Sequence, residues 1–182
     1  MFEGESNMSK PIDITIRPIR REDAQAFNEI RRTYSVMRNT LALMSDRVDK
    51  TEAMLASLGE NDYMFVAETN NNGEKDVIGF AGLHVNSSPR LRHSAEIGIS
   101  VAENYQGRGV GKKLMEQLLD IADNWIMLTR VGLEVIVDNE KGLNLYKKLG
   151  FEIEGTKKYA VIRDGKFEDV YIMEIGRASC RE

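Results

Sequence analysis

Apolar positions along the chain switch between a strand period and a helical one, and the switches set the expected elements. In "IDITIRPI", Ile12, Ile14 and Ile16 alternate with polar residues, as in a half-buried strand. In "REDAQAFNEIRRTYSVM", Ala24, Phe27, Ile30 and Tyr34 recur at helical spacing, which predicts a helix. A second helix is expected from about Asp46 to Leu58, with Gly59 as its stop. "YMFVAET" and "VIGFAGLHV" read as strands around the turn "NNNGEKD", where Asn and Gly tolerate positive φ. After the turn "NSSPR", the strand "HSAEIGISV" puts Ile97, Ile99 and Val101 on one face and Glu96, Gly98 and Ser100 on the other. A helix then begins near Gly111, with Leu114, Leu118, Ile121 and Trp125 on its buried face. "RVGLEVIV" is a strand, and "DNEKGLNLYKKLGF" a helix with Asn139 as N-cap and Gly150 as the C′ residue. "FEIEGTKKYAVIRDGKFEDVYIMEI" gives two strands around an Asp164-Gly165 turn. The order β-α-α-β-β-β-α-β-α-β-β, with hairpins in the middle and at the end, predicts a mixed α/β sheet. A single domain is expected over residues 11–176, with tails at 1–10 and 177–182.

Composition narrows the class. The chain has 182 residues, a net charge of -4, and 42% hydrophobic and 30% charged residues, as in a soluble globular domain with a sizeable core. Mild acidity argues against nucleic acid as a partner. Apolar runs fall short of the ~20 residues of a membrane span, and "MFEGESNMSK" has no signal-peptide core. The expected location is cytoplasmic, with no membrane partner. One cysteine, Cys180, and two histidines, His84 and His93, predict neither a disulfide framework nor a metal site.

The candidate chemistry begins in "NYQGRGVGKKLMEQLLDIA", where Gly107, Gly109 and Gly111 precede two lysines and an apolar helical run. A glycine-rich turn that opens a helix suits phosphate. A nucleotide P-loop needs G-x-x-x-x-G-K-[ST]. Aligned on Gly111-Lys112, that motif would begin at Gln106 and end at Lys113, so its first glycine and its hydroxyl are missing. A dinucleotide loop would have its third glycine at Lys112, and it belongs early in a βαβ unit rather than after antiparallel strands.

The remaining pattern, Q-x-x-G-x-G at Gln106, Gly109 and Gly111, resembles the acetyl-CoA signature of the GNAT superfamily of N-acetyltransferases. The family's core pieces stand in order as "AEIGISV", "NYQGRGVGKKLM" and "LEVIVDNEKGLNLYKKLGF". The last follows N-x-x-A-x-x-x-Y-x-x-x-G-F, with Gly142 where alanine is usual, a departure costing the helix about 1 kcal/mol. The resemblance covers Ile12 to Ile175. It implies the α/β GNAT acyl-CoA N-acyltransferase fold, a mixed, mostly antiparallel twisted sheet flanked by helices. Acetyl-CoA would be the co-substrate, without a metal.

What the resemblance implies can be assigned residue by residue. Backbone N–H groups in the loop of Gln106, Gly107, Arg108, Gly109, Val110, Gly111 and Lys112 would cradle the CoA pyrophosphate, with Lys112 or Lys113 adding charge. Ile99, Ser100 and Val101 would pair with pantetheine and polarise the thioester carbonyl. Tyr146 would be the general acid at sulfur, and Asn139 would cap its helix and bond pantetheine. Glu96 is the candidate base or ammonium anchor, with Glu134 its rival, read as structural. His93 reads as a surface turn residue, and Arg90 and Arg92 as solvated. The C-terminal strands and the "RNTLALMSDRVDKTEAML" loop resemble those of bacterial enzymes that acetylate amino acids and phosphinothricin-type amines. That makes Asn39, Thr40, Leu41, Tyr159, Asp169 and Tyr171 acceptor-site candidates. The expectation is direct transfer of acetyl to a small primary amine, an L-amino acid by preference, by a homodimer. Protein α-amine or lysine acetylation, and an acyl-CoA-binding regulatory module, remain open at this point.

Overall fold

The computed structural model describes residues 12–71 and 73–176; the tails at 1–10 and 177–182, Cys180 among them, lie outside the described residues. Seven strands form one sheet: β1 (Thr15–Pro18), β2 (Asp62–Asn71), β3 (Glu74–Val85), β4 (Ser94–Val101), β5 (Arg130–Ile136), β6 (Glu152–Arg163) and β7 (Lys166–Gly176). Their order is β1-β2-β3-β4-β5-β7-β6, and the β4–β5 junction is parallel while the others are antiparallel. This is the mixed sheet that the alternation predicted, mostly antiparallel as the resemblance implied. The final hairpin turns on Asp164 (φ 50) and Gly165 (φ 73), both left-handed as a two-residue turn requires.

Helices cover both faces. Helices α1 (Ala24–Arg32), α2 (Tyr34–Met37) and α3 (Val48–Ala56) precede β2. Phe27, Ile30 and Val36 from α1 and α2 pack with Val66 and Phe80 of the sheet. Helix α4 (Val110–Asp120) packs Leu114, Met115 and Leu118 on the other face with Leu83, Ile97, Val131 and Leu133. Helix α5 (Glu140–Lys148) adds Tyr146 to that core. Asn139 caps α5 by accepting from the Gly142 N–H (3.1 Å), and Gly150 ends it at φ 95. A Cβ at position 142 would sit 2.8 Å from Asn139 Nδ2, so glycine there leaves room for the cap.

Three periodicity readings need correction. Thr33 is extended (φ -63, ψ 131) and splits the first helix, so Tyr34 leaves the face of Phe27 and Ile30 and is 56% exposed. Its hydroxyl reaches Asp164 instead (3.3 Å). Residues Ile121–Trp125 form a π turn, whose extra residue rotates Trp125 off the buried face to 76% exposure. Helix α3 ends at Ala56, with Ser57 as its C-cap; Gly59 instead donates its N–H to Asp62 (2.8 Å), opening β2.

Candidate active site

The parallel junction is short. β4 and β5 pair only from Ser94, Ala95 and Glu96 to Arg130, Val131 and Gly132. Beyond Glu96 the strands part: Ile97 to Val101 stay paired with β3, and Leu133 to Ile136 stay paired with β7. Beyond Glu96 the β5-facing edge of β4 therefore has no strand partner. A cleft of about 1160 Å³ passes through this gap, with Tyr146 and Gly111 on its α4–α5 side and Phe27 and Phe80 on its α1 side.

The α4 end is built from backbone. Gly107 (φ 73) and Gly109 (φ 86) hold left-handed conformations that cost other residues energy. The first main-chain bond of α4 runs from the Lys113 N–H to Gly109 O (3.1 Å). By helix geometry, the N–H groups of the preceding turn have no carbonyl of their own helix to meet, which suits that turn to an anion. Gln106 secures the loop: its amide donates to Val101 O (3.1 Å) and accepts from Lys141 Nζ (3.1 Å). Gly111 has a different reason from its neighbours, since a Cβ there would lie 3.1 Å from Leu145 Cδ2, so glycine lets α4 approach α5. Lys112, Lys141 and Lys148 line the cleft. Lys113 does not, because its ammonium donates to Ile14 O (3.3 Å). Arg108 lies over the Tyr105 ring (5.5 Å), and the Val110 side chain is buried in the core.

Ile99, Ser100, Val101, Asn139 and Tyr146 all line the cleft. Tyr146 is 8% exposed and meets Phe151 edge-on (6.1 Å between centroids). Burial pushes its phenol up to about 12, so the hydroxyl keeps its proton throughout the neutral range.

The α1 end is built from side chains. The Glu96 carboxylate lies over Gly132, where an added Cβ would meet Oε1 at 3.1 Å. Burial, and then the neighbouring charge of Glu134, raise the Glu96 pKa above the ordinary carboxylate range, while Arg130 and Lys157 pull it down. Glu96 is exposed and not among the residues that line the cleft; Glu134, ion-paired with Lys157, lines the wall. Asn39 and Thr40 also line it. Leu41 is 78% exposed and turned away. Tyr159, Asp169 and Tyr171 are not among the lining residues. Asp169 instead takes Lys158 (2.7 Å) and the Tyr159 N–H (3.0 Å), Tyr159 meets Phe167 edge-on, and Tyr171 packs against the core. His93 serves the fold through its carbonyl, which accepts from the Thr129 N–H (3.0 Å).

Sequence reading missed Arg31, Met64, Gly82 and Gly98 as wall residues. The Arg31 guanidinium sits 5.7 Å from the Phe27 ring centroid and 4.0 Å from Asp46. The one signal for it was its position four residues after Phe27, on the same helical face.

Known proteins share this architecture. A family model described as Acetyltransferase (GNAT) family matches residues 24–151. The L-amino acid N-acetyltransferase AaaT of Escherichia coli (strain K12) is 42% identical over 98 residues, 54% of this chain; the match spans only 60% of that relative's length. A crystal structure of spermidine N-acetyltransferase from Vibrio cholerae in complex with CoA and spermine superposes with a TM-score of 0.78 at 26% identity, over 90% of this chain and 95% of that one. A putative phosphinothricin N-acetyltransferase has the same fold, with a TM-score of 0.79 at 24% identity over 90% and 98% of the two chains.

Proposed function

This chain belongs to the acetyltransferase (GNAT) family, and we propose that it transfers acetyl from acetyl-CoA to the primary amine of a small molecule, an L-amino acid by preference. The observation that carries this reading is the cleft through the β4–β5 gap, which joins an anion cradle to a chamber walled by Glu134 and Arg31. The fit to CoA rests on the left-handed Gly107 and Gly109, the lysines beside them, and the edge of β4 that has no strand partner beyond Glu96 on the β5 side. The loop and lysines would hold the phosphates, and the β4 edge would pair with the amide-bearing arm like an added strand. Acetyl-CoA supplies the activated acetyl thioester. Transfer is direct in this reading, the amine attacking the thioester itself.

In this reading a β4 main-chain N–H polarises the acetyl carbonyl. Glu96, with its raised pKa, accepts the acceptor's ammonium proton through water, and Glu134 holds the ammonium in place. The freed amine nitrogen bonds to the acetyl carbon as the carbon–sulfur bond breaks. Tyr146 gives its proton to the departing sulfur and is restored by the proton that the new amide nitrogen sheds, while Glu96 releases its own proton to solvent. Arg31 receives the acceptor's carboxylate, a group that polyamines lack. Identity to an L-amino acid N-acetyltransferase supports the same acceptor class. Exposed Tyr159, Ile162 and Phe167 on the β6–β7 hairpin support a homodimer through the C-terminal strands, which light scattering would test.

Mass spectrometry of a mixed pool of amino acids, polyamines, aminoglycosides and short peptides with acetyl-CoA tests the acceptor class. N-acetyl amino acids are the expected products. Products confined to peptides would instead favour protein α-amine or lysine acetylation.

A further inference from the structure

Two glycines face each other in the middle of the sheet. Gly82 of β3 pairs with Gly98 of β4, and Met64 of β2 stands opposite Gly82 in the same row. Glycine inside a strand weakens it and often marks close approach of another group. Neither residue needs glycine for its backbone, because neither has positive φ. At Gly98 a Cβ would meet nothing within 4 Å, so packing does not require glycine there either. Yet Gly98 is exposed, in a central strand, and lines the cleft.

The neighbouring rows give this gap its shape. On one side stand Phe80 and Ser100, with Phe80 stacked on Phe27 at 3.7 Å. On the other stand His84 and Glu96. Same-face rows two residues apart are about 7 Å from each other, so the missing side chain of Gly98 leaves a trough one row wide, while the Met64 side chain covers Gly82. It runs from the β4–β5 gap toward Met64, whose Cγ lies 3.1 Å from the point where a Gly82 Cβ would be. Glu134 lines the cleft at the gap end.

We infer that the Gly82–Gly98 trough is the acceptor side-chain subsite and selects amino acids with unbranched apolar side chains. This rests on the amino acid reading above. With the ammonium at the gap, a linear side chain lies along the row over Gly98 and ends at Met64. A β-branched side chain would press on the bordering rows. Gly98 is then a specificity-determining residue, and the cost of glycine in a central strand has a functional reason.

Norleucine and isoleucine test this with the same atoms in different shapes. The wild-type protein is expected to favour norleucine by about tenfold in kcat/KM, the usual value of a misplaced methyl in an apolar pocket. Gly98→Val should remove most of that preference by cutting norleucine turnover more than isoleucine turnover, with CoA affinity and melting temperature not lowered. Met64→Ala, which leaves the strand's glycines alone, should extend the trough and raise activity on longer linear side chains relative to norleucine. Isoleucine matching norleucine in the wild type, or equal losses for both in Gly98→Val, would overturn the subsite while leaving the amino acid reading intact. Failure of the wild type to acetylate any amino acid would remove both.

Discussion

The two ends of the cleft are made differently. The α4 end is one continuous loop, residues 106–112, with left-handed glycines at φ of 73 and 86, and its backbone N–H groups are the ones proposed to hold the donor. The α1 end draws Arg31 from α1, Met64 from β2, Gly82 from β3, Gly98 from β4 and Glu134 from β5. One end is local in sequence and its chemistry is that of the main chain. The other exists only once four strands have found their register beside a helix. A shared donor can be held by a fixed local device, whereas an acceptor site assembled from scattered side chains can change without disturbing it.

That contrast can be broken by substitutions at each end and at the point where the ends meet. The largest effect is expected at the meeting point. Tyr146→Phe should lower kcat by about 10²–10³-fold, the scale of a lost general acid, with CoA affinity by calorimetry unchanged. Unaltered turnover would remove Tyr146 from the chemistry. Gly109→Val comes next. Its left-handed backbone costs a β-branched residue about 1–2 kcal/mol, so CoA binding should weaken about tenfold, equally for every acceptor. Arg31→Met should raise KM about tenfold for amino acids and leave amines without a carboxylate nearly unaffected. If all amines lost equally, Arg31 would be a packing residue and the ends would not be separable.

The smallest effect is on stability. Burial and Glu134 raise the Glu96 pKa in the folded protein, so folding favours its protonated form. The stability it contributes is therefore present at low pH and lost as pH rises through the raised pKa. Glu96→Gln should accordingly melt higher than the wild type near pH 8 and about level with it near pH 4. The same substitution should abolish the acid limb of the pH–rate profile if Glu96 is the base. A limb that moves instead in Glu134→Gln would transfer that role to Glu134.

Legibility in the sequence follows the same division. The capping Asn139, the left-handed Gly150 and the Asp164-Gly165 turn were readable because each is satisfied within a few residues. The loop of Gly107 and Gly109 was readable for the same reason. Tyr34 and Trp125 were misread because strict helical spacing assumes an unbroken helix, and Thr33 and the π turn after Asp120 break it. Tyr159 and Asp169 looked like wall residues by position in the chain, but the hairpin's own contacts occupy them. Met64 and Gly82 carry no local signature at all. Their meaning lies in a row across β2, β3 and β4, and a row depends on register, which periodicity leaves open.

The short β4–β5 junction has a mechanical consequence. With three residue pairs across it, the sheet is two half-sheets stitched along a narrow seam, one of β1 to β4 and one of β5 to β7. A molecule lying in the gap would act as a strut, bridging the halves with the main-chain bonds the strands leave unmade. Binding to the folded state alone should then lift unfolding stability by about 2.7 kcal/mol at a hundredfold excess over Kd. The amides that slow most in hydrogen exchange should be those flanking the seam rather than those of β1 or β6 at the rims.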